Sequence, residues 1–208
     1  GYNTSWFLQY CKTKQGYDDI LSLGGGSSNN KESSNVKLVT IFFGANDASH
    51  PIHNKRQHVP LDTYKSNLAE LVALARTHYG KNVKIIVLSP PPVDHDQRLQ
   101  HQINRYGKEK ATGILERTLE LSGQYAKAAN QVASKEPAGN VAFLDLWTDM
   151  QQMKDNNDWC KFLCDGLHLS REGNIFVGDA LVKTIQSNFP ELAVMEDPIT
   201  GYWGNSAS

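Results

Sequence analysis

A short stretch near the end of the chain, residues 165–170 (Asp-Gly-Leu-His-Leu-Ser), has the residue types of a general base and its partner. Asp165 precedes His168 by three residues, just ahead of a predicted helix start. At this spacing a carboxylate can orient an imidazole from the same turn, as general-base catalysis requires. The alternative interpretation is structural, with an acidic residue and a capping histidine at the beginning of a helix.

Two further positions offer hydrogen-bond donors to a negatively charged oxygen. Asn46 follows a predicted buried strand, within residues 44–47 (Gly-Ala-Asn-Asp), where its side-chain amide is placed to donate to a developing oxyanion. Its structural alternative is an Asx turn that closes the strand. Gly1 stands just before a predicted helix, where a residue without a side chain lets a main-chain N–H approach a ligand closely.

The composition is that of an ordinary globular protein with one sizeable domain. The chain has 208 residues, 39% hydrophobic and 21% charged, and a net charge of −1. The absence of a basic stripe argues against nucleic acid as a partner, and no apolar run approaches the roughly 20 residues that span a bilayer. The three cysteines, Cys11, Cys160 and Cys164, are predicted to be reduced thiols, because an odd number argues against a disulfide framework.

Three histidines, His50, His53 and His58, follow Asn46 closely enough to raise the question of a metal site. Nothing nearby in the sequence supplies a clear tetrahedral or facial set of ligands. A solvated loop near a substrate cleft is therefore the favoured interpretation, and we predict no metal and no cofactor.

The hydrophobic pattern predicts helices and strands in alternation. Helices are predicted at residues 4–23, 61–79, 109–134 and from a Ser170 cap to about Phe189, and strands at 36–43, 83–88 and 141–146. The first strand is almost continuously apolar and β-branched, which is typical of a parallel strand buried on both faces. This order predicts an α/β layer fold with a parallel sheet.

Residues 1–190 are predicted to form one domain, and residues 191–208 a C-terminal tail over its surface. Residues 24–35, rich in Gly, Ser and Asn, are predicted to be a flexible surface loop within that domain. Ligands of parallel sheets bind beyond the carboxyl ends of the strands. We therefore expect residues 44–47, residues 89–92 and the turn at 165–168 to converge on one rim of the sheet.

The chain resembles the SGNH (GDSL-type) hydrolases over nearly its whole length, apart from the 24–35 loop and the tail. Three blocks occur in the family's order: Gly-Tyr-Asn-Thr-Ser-Trp at 1–6, Gly-Ala-Asn-Asp at 44–47 and Asp-Gly-Leu-His at 165–168. Their flanking residues look like the branch of isoamyl acetate-hydrolysing esterases, with matching blocks at 42–48, 57–61, 90–94 and 165–174.

This resemblance implies a flavodoxin-like, three-layer α/β/α fold and a role for each matched residue. His168 would act as the general base, and Asp165 would hold its tautomer and stabilise the imidazolium that forms. Asn46 would donate its side-chain amide to the oxyanion. Gly1 would supply a main-chain N–H as the second donor.

Four further residues of the matched blocks are candidates for the substrate pocket. Asn3 and Thr4 follow the family glycine and either line the acyl pocket or pack in the core. His58 belongs to the Gln-His-Val-Pro block, and Pro91 to the run of prolines after the second strand. The resemblance gives His58 and Pro91 a place near the pocket without defining a chemical role for either.

The nucleophilic serine of the family belongs to a Gly-Asp-Ser block upstream of the glycine that Gly1 matches, and that block does not occur in the chain. No earlier serine stands in such a block or in Gly-x-Ser-x-Gly: Ser5, Ser22, Ser27, Ser28, Ser33, Ser34, Ser49, Ser66 and Ser89. We therefore expect a partial sequence that lacks the nucleophile and the first two strands of the fold. Such a chain alone is expected to be inactive and, with its first strand an open apolar edge, poorly soluble.

The function predicted from these residues is that of a serine ester hydrolase, which acts on small, acetate-type esters through an acyl-enzyme. A carbohydrate deacetylase or an acyl-thioester hydrolase of the same fold is an alternative, and a non-catalytic binding module is another from a different class. The joint presence of Asn46, Asp165 and His168 favours an enzyme. The expected partner is a small-molecule ester. The oligomeric state is left open, and so is the compartment, with the cytoplasm favoured.

Overall fold

The computed structural model describes residues 1–22, 36–111, 113–137, 139–152 and 158–192. The elements in these ranges are, in chain order, α1 (Thr4–Cys11), α2 (Lys14–Ser22), β1 (Leu38–Phe42), α3 (Leu61–Tyr79), β2 (Lys84–Leu88), α4 (His95–Tyr106), α5 (Leu119–Ala133), β3 (Val141–Leu144), α6 (Leu146–Gln151), a 3-10 helix (Asp158–Phe162), α7 (Arg171–Asn188) and a second 3-10 helix (Pro190–Leu192). The predicted loop at 24–35 lies outside the described residues, and so does the predicted tail beyond residue 192.

The three strands form one parallel sheet in the order β1-β2-β3. Phe42 pairs with Leu88, and Leu88 pairs with Leu144, so the carboxyl ends of the strands lie level with one another. The segments that follow the strands therefore leave the sheet along a single rim. The predicted α/β fold with a parallel sheet is confirmed.

Helices cover both faces of the central strand. Ile85 and Val87 of β2 pack in one core with α1, α3 and α5, while Ile86 and Leu88 pack in a second core with α6, α7 and the first 3-10 helix. All four side chains are at most 2% exposed. Burial of each such side chain contributes about 1.5–3 kcal/mol, so β2 anchors all three layers. This alternation is the period-2 pattern of a strand that is covered on both faces.

Strand β1 departs from the prediction of burial on both faces. Ile41 is 5% exposed and belongs to the core shared with α3, whereas Phe42 is 41% exposed and Thr40 is also exposed. The reason is its position, since β1 is the edge strand of the described sheet. Only the face that carries Ile41 is packed beneath helices along the whole strand.

Two helices match their predictions closely, whereas the first predicted helix and the third predicted strand do not. Helix α3 has the predicted bounds, and Ser170 caps α7 as predicted, with its Oγ accepting from the Gly173 N–H at 3.0 Å. The predicted helix at 4–23 is instead two helices, separated by a turn at residues 12–13. The predicted strand at 141–146 ends at Leu144, because Asp145 caps α6 by accepting from the Thr148 N–H at 3.1 Å.

The predicted helix at 109–134 is wrong in its first part, and the pattern did not predict α4. Gly113 has φ +70°, which is incompatible with a right-handed helix, and α5 begins only after its Thr118 cap. Helix α4 begins after Asp94, whose side chain accepts from the Gln97 N–H at 2.7 Å, and ends before Gly107 with φ +85°. None of its side chains is buried, and most of them are polar.

None of the helices in the described part of the chain combines the length and apolar character that crossing a bilayer requires. The three cysteines are free thiols, with Cys11 buried, Cys160 half-buried and Cys164 exposed.

Candidate active site

The turn before α7 brings Asp165 and His168 together. Asp165 Oδ2 lies 2.9 Å from His168 Nδ1, so the carboxylate holds the imidazole by one of its two nitrogens. The Asp165 side chain is 11% exposed, whereas the His168 side chain is 71% exposed. The other ring nitrogen, Nε2, lies on the edge of the ring away from Asp165. This is the arrangement of a general base that is oriented by a carboxylate.

The second oxygen of Asp165 fixes the turn itself. Oδ1 accepts the main-chain N–H of Leu167 at 3.0 Å and that of His168 at 2.8 Å. Burial raises the pKa of the Asp165 carboxyl, but the hydrogen bonds from His168 and Leu167 outweigh burial and lower the pKa to about 2. Asp165 is therefore ionised over the whole range of pH in which an imidazole serves as a base.

Helix α4 supplies a cation to the same carboxylate. Arg98 Nη1 donates to Asp165 Oδ2 at 2.8 Å, and His101 Nε2 lies 3.9 Å from that oxygen. Asp165 Oδ2 is thus shared between Arg98 and His168. Sequence analysis missed Arg98, because α4 itself was not predicted.

Gly166 is the point at which α4 touches the catalytic turn. Its carbonyl accepts from the Asp94 N–H at 3.0 Å, and its φ is +78°. A Cβ built on Gly166 would lie 2.5 Å from both the Arg98 nitrogen and the Asp94 oxygen of the main chain. The approach that lets Arg98 reach Asp165 therefore depends on a residue without a side chain.

Replacing Gly166 by alanine is expected to destabilise the protein more than the matched change Gly107→Ala. Both glycines have positive φ, which costs an L-residue about 1–2 kcal/mol, but a Cβ at Gly107 would meet nothing within 4 Å. Crowding against α4 adds about 1–3 kcal/mol at Gly166 alone. Urea denaturation of both variants measures the difference, and equal free energies of unfolding would contradict the close packing inferred here.

Asn46 follows β1 and meets the first residues of the chain at the rim of the sheet. Its Nδ2 donates to the Tyr2 carbonyl at 3.0 Å. A Cβ built on Gly1 would lie 3.0 Å from the same nitrogen, so Gly1 borders the Asn46 amide directly. A carboxamide nitrogen carries two hydrogens, and the bond to Tyr2 uses one of them. That Gly1 and Asn46 together donate to an oxyanion stays a prediction.

Arg117 holds the opposite end of the Asn46 amide. Its Nη2 donates to Asn46 Oδ1 at 3.0 Å, and its Nε donates to the Ala45 carbonyl at 2.9 Å. Burial lowers the pKa of the Arg117 guanidinium, and the neighbouring Glu116 carboxylate raises it in part. Nothing in the sequence pattern distinguishes Arg117, so sequence analysis missed it as well.

The structure thus brings the predicted site residues together in two pairs, Asp165 with His168 and Gly1 with Asn46. That both pairs act on one substrate carbonyl stays a prediction.

The chain matches the family model described as GDSL-like Lipase/Acylhydrolase over residues 13–181. The chain belongs to the GDSL family. The predicted family is therefore confirmed, and the matched range includes Asn46, Asp165 and His168.

Three curated relatives place the chain within the GDSL family. It is 38% identical over 187 residues to a GDSL esterase/lipase of Arabidopsis thaliana, covering 89% of this chain and 69% of the relative. It is 39% identical over 177 residues to the isoamyl acetate-hydrolyzing esterase 1 homolog of Rattus norvegicus, covering 85% and 62%. It is 31% identical over 161 residues to the isoamyl acetate-hydrolyzing esterase of Saccharomyces cerevisiae, covering 77% and 61%. The chain thus spans between 61% and 69% of the length of these relatives.

Solved structures share the fold at low sequence identity. The acetylxylan esterase Axe2 of Geobacillus stearothermophilus aligns with a TM-score of 0.54 at 19% identity, over 82% of this chain and 64% of that one. LAE5, an alpha/beta hydrolase from the metagenome of Lake Arreo in Spain, aligns with a TM-score of 0.53 at 18% identity over the same shares. These likenesses show the fold of this GDSL chain.

Two of the candidate pocket residues of this GDSL chain have structural contacts. Asn3 is 2% exposed, and its Oδ1 caps α1 by accepting from the Trp6 N–H at 2.8 Å. Thr4 is 0% exposed, and its main-chain N–H donates to Asp47 Oδ1 at 2.9 Å. Of the two alternatives that the sequence left open for Asn3 and Thr4, these contacts favour packing.

That His58 and Pro91 lie near the substrate pocket stays a prediction. His58 is half-buried, with its Nδ1 2.7 Å from the Ser49 carbonyl, and Pro91 is buried after β2. An apolar cavity of about 220 Å³ lies elsewhere, between α1, α3 and the edge of β1. None of the four candidate pocket residues lines that cavity.

Ser49 stands near Asn46, but its contacts are structural. It is 0% exposed, and its Oγ donates to the Asn46 carbonyl at 2.6 Å. A buried hydroxyl that is bonded to a main-chain oxygen is not an exposed nucleophile.

Within the described ranges, no three metal-ligating side chains come together, and the rings of His50 and His53 stack with centroids 4.3 Å apart.

Proposed function

We propose that the protein to which this chain belongs is a serine carboxylic-ester hydrolase that acts on small, acetate-type esters through an acyl-enzyme. The observation that carries the proposal is the Asp165–His168 pair, joined at 2.9 Å with the imidazole largely exposed. Membership of the GDSL family supports this reaction class. Relatives named for hydrolysis of isoamyl acetate, at 31–39% identity, support the substrate class.

In the proposed acylation step, a serine hydroxyl from the family's Gly-Asp-Ser block attacks the ester carbonyl carbon. Its proton passes to His168 Nε2, and the Asp165 carboxylate stabilises the imidazolium while staying ionised. The carbonyl oxygen becomes an oxyanion that accepts from the Asn46 amide and from the main-chain nitrogen of Gly1. When the tetrahedral intermediate collapses, the alcohol leaves with the proton from Nε2.

Deacylation repeats these steps with water as the nucleophile. Water attacks the acyl-serine and gives its proton to His168 Nε2, and the same two donors hold the second oxyanion. Collapse returns the proton to the serine oxygen and releases the carboxylic acid. The residues of this chain thus act twice per turnover, once for each half of the reaction.

The full-length protein is expected to hydrolyse isoamyl acetate and p-nitrophenyl acetate and to be labelled by a fluorophosphonate. Asn46→Ala is expected to lower kcat about 100- to 1,000-fold, with KM nearly unchanged, because the amide bonds the oxyanion more strongly than the ground state. Steady-state kinetics measure both values. Asn188→Ala, an exposed asparagine that bonds only its own helix, serves as the matched control.

Other outcomes would favour the competing functions. If the full-length protein hydrolyses an acetylated xylose or an acetyl thioester faster than isoamyl acetate, the proposed substrate class is wrong and the corresponding alternative takes its place. If the full-length protein shows no ester hydrolysis and no labelling by the fluorophosphonate, a non-catalytic binding module becomes the better account.

A further inference from the structure

The segment between α4 and α5 places a buried arginine beside the oxyanion donor. Arg117 is 6% exposed, and its hydrogen-bond acceptors are neutral: the Ala45 carbonyl at 2.9 Å, Asn46 Oδ1 at 3.0 Å and Gln57 Oε1 at 2.5 Å. The carboxylate of Glu116 is farther away, 3.6 Å from Nη1. Three neutral acceptors and one long ion pair to a partly exposed carboxylate offset little of the cost of burying a guanidinium, so core stability alone does not account for this residue.

The contacts of Arg117 determine which way the Asn46 amide points. A guanidinium only donates hydrogen bonds, so the Asn46 atom that it meets must be the oxygen. The Tyr2 carbonyl only accepts, so the atom that it meets must be the nitrogen. Turning the amide over would set NH₂ against the guanidinium and oxygen against the Tyr2 carbonyl. Arg117 therefore keeps the amide nitrogen on the side of Gly1.

The charge of Arg117 also changes how well Asn46 donates. A cation on the amide oxygen draws electron density from the nitrogen and strengthens its N–H groups as donors. This gain matters most when the substrate oxygen becomes an oxyanion. The stabilisation is consequently larger in the transition state than in the ground state, and it acts on kcat.

The guanidinium is held rigidly enough to serve this purpose. Gln57 Oε1 accepts from Arg117 and also from Asn54 Nδ2 at 2.8 Å, and the same Asn54 nitrogen donates to Glu116 Oε2 at 2.9 Å. Gln57, itself held by Asn54, thus fixes Nη2, the same guanidinium nitrogen that donates to Asn46. A rigid second layer is what keeps an oxyanion donor in productive geometry.

From these contacts we infer that Arg117 is a positioning residue for ester hydrolysis, which acts through Asn46 by fixing and polarising the carboxamide that donates to the oxyanion. The inference rests on the proposed function and extends it. It predicts that Arg117 and Asn46 contribute to catalysis as one unit.

A double-mutant cycle in the full-length protein tests this coupling. Arg117→Gln is expected to lower kcat for p-nitrophenyl acetate roughly 10- to 100-fold in the wild type, with KM changed less than about 3-fold. In the Asn46→Ala background the same change is expected to lower kcat by no more than about 3-fold, because the residue that it positions is gone. Arg117→Lys keeps the positive charge but loses the planar guanidinium with its several N–H donors, so its kcat should lie between those of the wild type and Arg117→Gln.

The matched control is Arg76→Gln. Arg76 is also largely buried, lies in the last turn of α3 and is paired with Glu136 through Nη1. This variant is expected to unfold at lower urea concentration while kcat stays within about 2-fold. If Arg117→Gln fails to fold, the cycle is measured with Arg117→Lys.

The outcomes separate this inference from the proposed function. Equal fold-losses in the two backgrounds, or a loss confined to KM, in an active wild type would overturn the positioning role alone. A full-length wild type without ester hydrolysis would overturn the proposed function and this role with it.

Discussion

Replacing His168 by alanine in the full-length protein is expected to lower kcat for acetate esters at least about 1,000-fold. Without the imidazole, nothing at this turn can take the serine proton during attack or return it to the leaving alcohol. The rate of fluorophosphonate labelling should fall with kcat, since labelling needs the same activated hydroxyl. The fold should be little affected, because the His168 side chain is 71% exposed.

His101→Ala is the matched control for His168→Ala. Both imidazoles face Asp165 Oδ2, but His168 Nδ1 lies at 2.9 Å and His101 Nε2 at 3.9 Å. Only the shorter distance is a hydrogen bond, so only His168 is oriented as a base. We expect His101→Ala to stay within about 5-fold of wild-type kcat. Equal labelling of the wild type and His168→Ala would remove His168 from the mechanism.

The second large effect is expected for Asp165→Asn, which should lower kcat about 1,000- to 10,000-fold while keeping the shape of the side chain. The two main-chain N–H groups at Oδ1 require an acceptor, so the new amide must place its oxygen there. Its NH₂ then faces Arg98 and His168 Nδ1. The imidazole then accepts a hydrogen bond at Nδ1 and carries its own proton on Nε2. In this tautomer Nε2 cannot take the proton of the serine.

The stability of Asp165→Asn should differ from that of the wild type in a defined range of pH. The pKa of Asp165 is about 2 in the folded protein, below the ordinary value near 4. The ionised carboxyl therefore stabilises the fold fully above about pH 4, and this contribution is lost as the pH falls towards 2. Urea denaturation of both proteins should show a difference in the free energy of unfolding that narrows as the pH falls from 4 to 2. A difference that does not change with pH would contradict the hydrogen bonds to Asp165.

Hydrophobic periodicity predicted the elements that bury a face and failed for the one that does not. Helix α3 buries Tyr64, Leu68 and Val72 at intervals of four, and its bounds were predicted to the residue. Helix α4 buries no side chain, and although Leu99, Ile103 and Tyr106 recur at helical spacing, these few apolar residues were not recognised as a helix face. Its ends were nevertheless marked, because an Asp followed three residues later by Gln and a later Gly are the usual signals of helix capping.

The family motifs located the residues that touch the substrate in the proposed mechanism, but not the residues that hold them. Asp165 and His168 are only three residues apart in sequence, so their pairing followed from spacing alone. Arg98 and Arg117 bond to residues 67 and 71 positions away. Such contacts depend on how the layers of the fold meet, and no local pattern records them.

The contacts of this site therefore differ greatly in the chain entropy that is lost when each one forms. The carboxylate–imidazole pair spans three residues and needs only one turn of the chain to form. Each arginine contact closes a loop of about 70 residues, an ordering cost that only the packed layers of the folded domain can offset. The Asp165–His168 pair belongs to local structure, whereas the geometry that would make it selective for a transition state in the proposed mechanism belongs to the assembled fold.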